Sequence, residues 1–274
     1  MTMRERWEIC LWVVLAIACA ACGAPAGDPP AAGAADAAPE VRVVTSGGLA
    51  AAYDVIAPRF EALTGITLVT AYGASGGGAS DSIPVRLERG ERFDALVMSQ
   101  AGLLAMIDRG VIRADTQVDM ATSSIGMAVR EGAPLPDIST PEAFVQALLD
   151  AESIGYSASV SGTYISTELF PRLGLDEQLA PKSRRILSER VAAVVARGEV
   201  EIGFQQVSEL LSIDGAAYAG PIPDEYQLVT TFSAGITSEA RNPAGAQRLI
   251  EFLASAEAAP TLATSGLEPL VGHD

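Results

Sequence analysis

Regular alternation of strand and helix patterns is the feature of this sequence that most restricts its fold. The run VRVVTS at residues 41–46 is short and rich in β-branched residues. The segment after it has Leu49, Tyr53 and Ile56 at helical spacing and ends at Gly65, a typical C-cap residue. Further strand and helix patterns follow in turn. Such alternation predicts an α/β fold with mostly parallel strands and helices on both faces of the sheet.

The alternation occurs in two series, which predicts two lobes. The second series follows SSIGMAVR at residues 123–130. It contains two helix starts with a capping residue followed by proline, at Thr140-Pro141 and Asn242-Pro243. Open α/β sheets bind ligands where their strands end and helices begin, so we expect a cleft at those ends.

Residues 1–21 have the composition of a secretory signal peptide. Arg4 and Arg6 precede an apolar run that ends in small residues. Glu8 interrupts that run, which is shorter than the about 20 residues of a membrane-spanning helix. We therefore expect export of the chain and cleavage of its leader.

All three cysteines, Cys10, Cys19 and Cys22, lie in or at the end of this leader. The sequence CAAC followed by glycine resembles the lipobox of bacterial lipoproteins, with Cys22 as the lipidated residue and Cys19 as the alternative. Residues 22–40 are rich in Ala, Gly and Pro and are typical of a flexible tether. The expected product is a disulfide-free protein of the periplasm or cell envelope, held at a membrane by its lipid.

Composition excludes several classes of function. The net charge of −16 argues against a nucleic-acid partner. His273, the one histidine, is next to the C-terminus, and no cysteine follows Cys22, so a Ser-His-Asp triad, a cysteine nucleophile and a zinc site are not expected. We expect neither a metal nor a cofactor. Carboxylates are numerous, but their spacing selects no pair.

Serine and glycine are concentrated at three junctions between a strand and a helix: TSGGL at 45–49, GASGGG at 73–78 and SVSGTY at 159–164. The second junction lacks the lysine of a nucleotide-binding P-loop. Backbone N–H groups and hydroxyls can bind a small anion without a counter-charge. Each junction alone is also compatible with an ordinary turn, loop or helix cap. Together they predict a cleft for a small anion.

Four segments in order resemble the periplasmic molybdate-binding protein family, the type 2 solute-binding proteins of ATP-binding-cassette (ABC) importers. They are TSGGLAAAYDVIAPRFEALTGITLVTAYGASG, ERGERFDALVMSQ, ARGEVEIGFQQVSEL and FLASAEAAPTLATSGLEP. The resemblance implies two lobes, joined by two crossing segments, that close on a ligand. Lobe 1 would comprise residues 41–122 and 235–274, and lobe 2 residues 123–234. The resemblance also implies a monomer whose partners are the membrane subunits of an importer.

The family's ligand-binding positions fall on nine residues of this chain. They are Ser46, Gly47, Gly48, Ser75, Gly76, Ser161, Gly162, Thr163 and Gln206. Gly48 replaces a usual serine and Gln206 a usual tyrosine. A site with two fewer hydroxyls, more room and an amide suits an organic carboxylate better than molybdate or tungstate.

The motif QQVSEL also resembles sequences grouped with aconitate isomerase, which shifts a double bond in a tricarboxylate. That proton transfer needs a general base, and the sequence offers no histidine or isolated carboxylate for it. Glu189 and Arg190 are the charged residues expected nearest the cleft, although ordinary first-turn helix positions explain them as well. We therefore expect a solute-binding lipoprotein of an ABC importer rather than an enzyme. Its ligand is expected to be a molybdate- or tungstate-like oxyanion, as in the family, or an organic carboxylate. An isomerase is the alternative, and a sensor component that docks on a membrane partner is a third possibility.

Overall fold

The computed structural model describes residues 39–271. The predicted signal peptide, Cys22, nearly all of the predicted tether and His273 lie outside these residues. Between residues 39 and 271, no helix is both long and apolar enough to cross a membrane.

Eleven strands are formed by these residues. They are β1 (Glu40–Ser46), β2 (Thr67–Gly73), β3 (Ala95–Ser99), β4 (Val118–Ser123), β5 (Ile125–Arg130), β6 (Ile154–Ser157), β7 (Ser183–Ile186), β8 (Ile202–Gln206), β9 (Ala216–Pro221), β10 (Thr230–Ile236) and β11 (Glu268–Pro269). One sheet has the strand order β11-β4-β10-β3-β1-β2, and the other has the order β7-β6-β8-β5-β9. The two sheets confirm the predicted two-lobed α/β fold.

Helices follow most strands. The α-helices are α1 (Gly47–Thr64), α2 (Ile83–Glu88), α3 (Gln100–Asp108), α4 (Pro141–Asp150), α5 (Val160–Tyr164), α6 (Phe170–Arg172), α7 (Asp176–Leu179), α8 (Val191–Ala196), α9 (Val207–Leu210), α10 (Pro243–Leu253) and α11 (Ala259–Thr264). A π-helical turn, Ile165–Leu169, joins α5 to α6, and short 3-10 turns occur at Ala114–Thr116, Ala180–Lys182 and Asp224–Tyr226.

Local sequence determines where several helices begin and end. Thr140 caps α4 by accepting the N–H of Ala143 at 3.1 Å. Asn242 likewise caps α10. Gly65 ends α1 with a left-handed φ of 69°, a conformation that glycine adopts without strain. These caps agree with the sequence patterns.

Both sheets are mixed, which corrects the expectation of mostly parallel strands. In lobe 1, β1 pairs in parallel with β2 and β3, but β10 is antiparallel to β3 and β4. In lobe 2, β6 pairs in parallel with β7 and β8, but β5 is antiparallel to β8 and β9. The physical reason is the crossing of the chain between lobes. β5 and β10 each enter a sheet from the cleft side and therefore run against the strands that end there.

The chain crosses between the sheets twice. The first crossing is at Ser124, between β4 and β5. The second lies between β9 and β10, in residues 222–229. It precedes the predicted boundary at 234/235 because all of β10 belongs to the first sheet.

Each lobe has its own hydrophobic core on both faces of its sheet. In β1, Val43 packs toward α1 and α10, whereas its neighbour Val44 packs toward α3 on the other face. In lobe 2, the face that carries Phe204 packs on α4 through an edge-on contact with Phe144, with 5.9 Å between ring centroids. These packed layers hold the C-terminal ends of β1, β2, β3, β6, β7 and β8 on the cleft side of their sheets.

Candidate functional site

A cavity of about 260 Å³ lies between the two lobes, where the parallel strands end. Most of the residues in its lining are small or polar. From lobe 1 it includes Ser46, Gly47, Gly48, Ala50, Tyr72, Gly73, Ala74, Ser75, Asp81, Ser99, Thr230 and Phe232, and from lobe 2 Ser157, Ala158, Ser159, Val160, Ile186, Leu187, Ser188, Glu189, Arg190, Gln205, Gln206 and Glu209.

The N-terminus of α1 forms the first wall of this cavity. Ser46, the last residue of β1, is 2% exposed, and its hydroxyl has no hydrogen-bond partner within the described residues. It does not cap α1, so the N–H groups of the first helical turn are not satisfied by that side chain. A buried unpaired hydroxyl beside a positive helix end suits an anionic ligand.

The two glycines after Ser46 are required by their neighbours. A Cβ at Gly47 would overlap Glu209 Oε1, and a Cβ at Gly48 would overlap the ring of Phe232. Gly48 therefore makes room for an aromatic ring, whereas the sequence suggested room for a larger ligand.

The serine-glycine loop after β2 reaches across the cleft. The Ser75 hydroxyl accepts the N–H of Ser99 at 2.9 Å, which leaves its own proton for another acceptor. Gly76 does not line the cavity. Gly77 has a left-handed φ of 84°, and a Cβ there would overlap the carbonyl oxygen of Ala158 in lobe 2. The loop is thus a contact between the lobes.

In lobe 2, the cavity is lined by residues that come a few positions earlier in the sequence than the predicted ones. Ser161 is buried, and its hydroxyl lies 3.2 Å from that of Ser157. Gly162 packs tightly against the Ser157 backbone, and Thr163 is exposed. The lining is formed instead by residues 157–160, because the helix turns Ser161, Gly162 and Thr163 away from the cavity.

Gln206 lines the cavity at the crossings between lobes. Its amide is oriented by the hydrogen-bond network: the oxygen accepts from Thr230 Oγ1 at 2.8 Å, and the NH₂ group donates to Ser123 and Ser124. One side chain is therefore bonded to the first crossing at Ser124 and to Thr230, the strand residue that follows the second crossing, which suits a hinge.

Glu209 is the carboxylate that the sequence did not single out. It lies in α9, is 8% exposed, and occupies the space left by the absent side chain of Gly47. Its Oε1 accepts a hydrogen bond from Gln205 Nε2 at 2.8 Å. The neighbouring Ser208 donates to the Gly48 carbonyl at 2.7 Å, which attaches α9 to the start of α1.

Burial of this carboxyl controls its protonation. Desolvation raises the pKa of Glu209 from its usual 4.5 to about 7, opposed by the positive charge of Arg190 and the hydrogen bond from Gln205. A group with a pKa near neutrality can both accept and return a proton under ordinary conditions.

Arg190 is the one cation among the described residues that line the cavity. Its guanidinium donates to the Ser212 hydroxyl. Glu189 lines the cavity too but is paired with Arg197 at 2.9 Å. Asp81 lies on the lobe 1 side, and its Oδ1 is buried without a partner in the described part of the chain. Both charged residues expected near the cleft, Glu189 and Arg190, do line it.

Tyr72 also lines the cavity, from lobe 1, and its hydroxyl donates to Asp54. Desolvation, reinforced by Asp54, raises the pKa of Tyr72 to about 12. The cation of Arg190 opposes this shift, so Arg190 acts on residues of both lobes.

Within residues 39–271, no cluster of three or more His, Cys, Asp or Glu side chains has a geometry that could hold a metal ion. Hydroxyls, helix N–H groups, one cation and carboxyl groups are the chemistry that the described cavity offers.

Comparison with known families gives the same fold. A family model described as bacterial extracellular solute-binding protein matches residues 41–268. The chain belongs to the bacterial extracellular solute-binding proteins. The resemblance drawn from the sequence is thereby confirmed.

Individual relatives of this solute-binding protein differ in what their names record. An aconitate isomerase from Pseudomonas sp. is 43% identical over 228 residues, covering 83% of this chain and 87% of that protein. The periplasmic molybdate-binding protein of Azotobacter vinelandii has a TM-score of 0.66 at 18% identity, covering 83% of this chain and 98% of the other. Campylobacter jejuni PEB3 with L-phospholactate bound has a TM-score of 0.64 at 15% identity, covering 83% and 99%. The two structural neighbours show a shared fold.

The glycines of the 73–78 loop provide a paired test of contact between the lobes. Alanine at Gly77 would need a left-handed backbone and would overlap Ala158, whereas alanine at Gly78 meets no atom within 4 Å. We expect Gly77→Ala to lower the free energy of unfolding by about 1–3 kcal/mol and Gly78→Ala to change it by less than about 0.5 kcal/mol. Urea denaturation measures both. Equal effects would mean that neither the left-handed turn at Gly77 nor its contact with lobe 2 is formed in solution.

The raised pKa of Glu209 makes stability depend on pH. The folded protein binds this proton more tightly than the unfolded chain, so the stabilisation is full below about pH 4.5 and is lost as the pH rises through about 7. Relative to Glu209→Gln, the wild-type free energy of unfolding should fall by about 2–3 kcal/mol between about pH 4 and pH 8. Urea denaturation in carboxylate-free buffers checks this. Glu257→Gln, at an exposed residue paired with Arg59, is the control. A difference independent of pH would show that Glu209 titrates normally.

Proposed function

We propose that this solute-binding protein is an isomerase that moves a proton within an aconitate-type tricarboxylate held between its lobes. One observation supports this above the others: the carboxyl of Glu209 lies in the cleft with a pKa raised to about 7. The 43% identity to an aconitate isomerase over most of both chains agrees with it.

The substrate's carboxylates have complementary groups in the cavity. The first turn of α1, the free hydroxyl of Ser46 and the hydroxyl of Ser75 supply neutral donors on the lobe 1 side. Arg190 supplies a cation on the lobe 2 side and suits a carboxylate through its paired N–H groups. A ligand with carboxylates at both ends would therefore bridge the lobes and favour their closure.

Proton transfer from one carbon of the substrate to another needs one base whose pKa lies near neutrality. Glu209 as carboxylate removes a proton from the methylene carbon between a carboxylate and the double bond. The electron pair of that C–H bond forms a new double bond between the methylene carbon and the central carbon. The electron pair of the old double bond then takes the proton from protonated Glu209 at the alkene CH carbon, which becomes a methylene group. One C–H bond breaks and one forms, so the product has the composition of the substrate. The conformation about the bond from the methylene carbon to the central carbon fixes the geometry of the new double bond when the proton leaves. Deprotonation with the methylene carboxylate on the same side as the central carboxylate therefore converts trans- into cis-aconitate.

Binding without chemistry is the second candidate: delivery of an anion to the membrane subunits of an ABC importer. It is supported by family membership and by neighbours named for molybdate binding. In that case the ligand would be an organic carboxylate or an oxyanion such as molybdate or tungstate. In either case we propose a monomer, as the resemblance to the family implies.

Substitution of Glu209 by glutamine tests the isomerase directly. Glu209→Gln keeps the side-chain shape but cannot accept the proton, so kcat/KM for trans-aconitate should fall by about 100- to 10,000-fold. Cis-aconitate formed from trans-aconitate is the readout, and in the wild type the rate should rise with pH through about 7.

Glu257→Gln is the matched control and should keep wild-type turnover. Binding of trans-aconitate to Glu209→Gln, measured by calorimetry, should persist. Wild-type protein that binds trans-aconitate without converting it would favour the importer instead. Wild-type protein that neither binds nor converts it would contradict the tricarboxylate assignment.

We also propose that the chain is exported and carries lipid on Cys22 in the periplasm or cell envelope, as the sequence of residues 1–23 supports. Cys22→Ser should move the expressed protein from the detergent phase to the aqueous phase on Triton X-114 partition. Cys19→Ser should leave it in the detergent phase. The opposite pattern would assign the lipid to Cys19.

A further inference from the structure

Gln205 is bonded at both ends of its amide within the cleft wall. Its Oε1 accepts the main-chain N–H of Val191, at the start of α8, at 2.7 Å. Its Nε2 donates to Glu209 Oε1 at 2.8 Å. The side chain is 4% exposed, so both bonds are shielded from water.

The first of these bonds determines the direction of the second. With the amide reversed, an NH₂ group would face the Val191 N–H, and a carbonyl oxygen would face the Glu209 carboxyl. A donor would then face the donor at Val191, and an acceptor would face the carboxylate of Glu209. The main chain at Val191 therefore selects the amide orientation that donates to Glu209.

The Glu209 carboxyl is held from two sides, by Gln205 and by the main chain at Gly47. Gln205 engages Oε1, and the same oxygen lies where a side chain at Gly47 would be. Since Gln205 engages only Oε1, Oε2 remains available to a ligand in the cavity.

We propose that Gln205 is a positioning residue, which holds the Glu209 carboxyl against the first turn of α1 in the orientation that exchanges a proton with the substrate. This inference rests on the proposed function of Glu209 as the proton carrier.

Other charged groups face the same cavity and must be distinguished from Gln205. Arg190 lies at the start of α8 and opposes the raised pKa of Glu209, as Gln205 does. Glu189 precedes Arg190, and Asp81 and Tyr72 face the cavity from lobe 1. The first turn of α1 carries no acidic residue. Substitutions at position 205 leave all of these in place.

Two substitutions separate positioning from packing. Gln205→Met keeps the length of the side chain and removes both bonds. Gln205→Glu keeps an acceptor for Val191 but puts a negative charge beside Glu209. Because the donated bond stabilises the carboxylate, its loss should raise the pKa of Glu209, and a like charge should raise it further.

The test is the pH dependence of kcat/KM for trans-aconitate, together with the titration of the Glu209 carboxyl followed by carbon-13 NMR. The resonance is assigned with Glu209→Gln. We expect both midpoints to rise by about one pH unit in Gln205→Met and by more in Gln205→Glu. KM should stay within about twofold, and the lost rate should return above the shifted midpoint. Damage to packing alone would lower the rate at every pH.

The control is Gln100→Met, which removes a similar Gln–Asp bond, to Asp119 at 2.7 Å, outside the cavity lining. It should leave both midpoints unchanged. Unchanged midpoints in folded Gln205→Met, with the wild type active, would overturn the role of Gln205 alone. If Gln205→Met does not fold, unchanged midpoints in Gln205→Glu would do the same. A wild type without turnover would overturn the proposed function and this inference together.

Discussion

The proposed chemistry of this protein depends on burial of the Glu209 carboxyl against Gly47 at the start of α1. Glu209 lies in α9, between β8 and β9 of the second sheet, whereas α1 follows β1 of the first sheet. Their contact exists only when α9 packs on α1, which the Ser208–Gly48 hydrogen bond also requires. Burial there raises the pKa of the carboxyl to about 7 and places a proton acceptor in the cavity. The chemistry of the cleft therefore results from the way the lobes meet.

Neutral donors and charged groups give the cleft two separate capacities. Helix N–H groups and the hydroxyls of Ser46 and Ser75 can hold an anion, and they carry no net charge. Glu209 and Arg190 add a proton acceptor and a cation. When ionised, Glu209 repels a compact dianion such as molybdate at short range. The same carboxylate is useful toward a substrate with an acidic C–H bond. The combination of neutral donors with Glu209 and Arg190 favours proton transfer on a carboxylate substrate over binding of an oxyanion.

Sequence patterns predicted the layers of this fold but not its central contact. Alternating strands and helices, with caps at Thr140 and Asn242, are local features and were readable in one dimension. Glu209 was not singled out because QQVSEL is typical of an ordinary strand end and short helix. Its closeness to Gly47 bridges more than 160 positions and arises only in the folded chain. The reason for Gly48 is likewise tertiary, since the ring it accommodates belongs to Phe232.

Proton transfer in this cleft can be followed without any variant by proton NMR of trans-aconitate in D₂O with the purified wild-type protein. It follows the substrate's own C–H bonds and is independent of any variant. We expect signals of cis-aconitate to appear with time, with or without deuterium at the methylene position. An unchanged spectrum, under conditions where calorimetry shows trans-aconitate bound, would contradict proton transfer in this cleft.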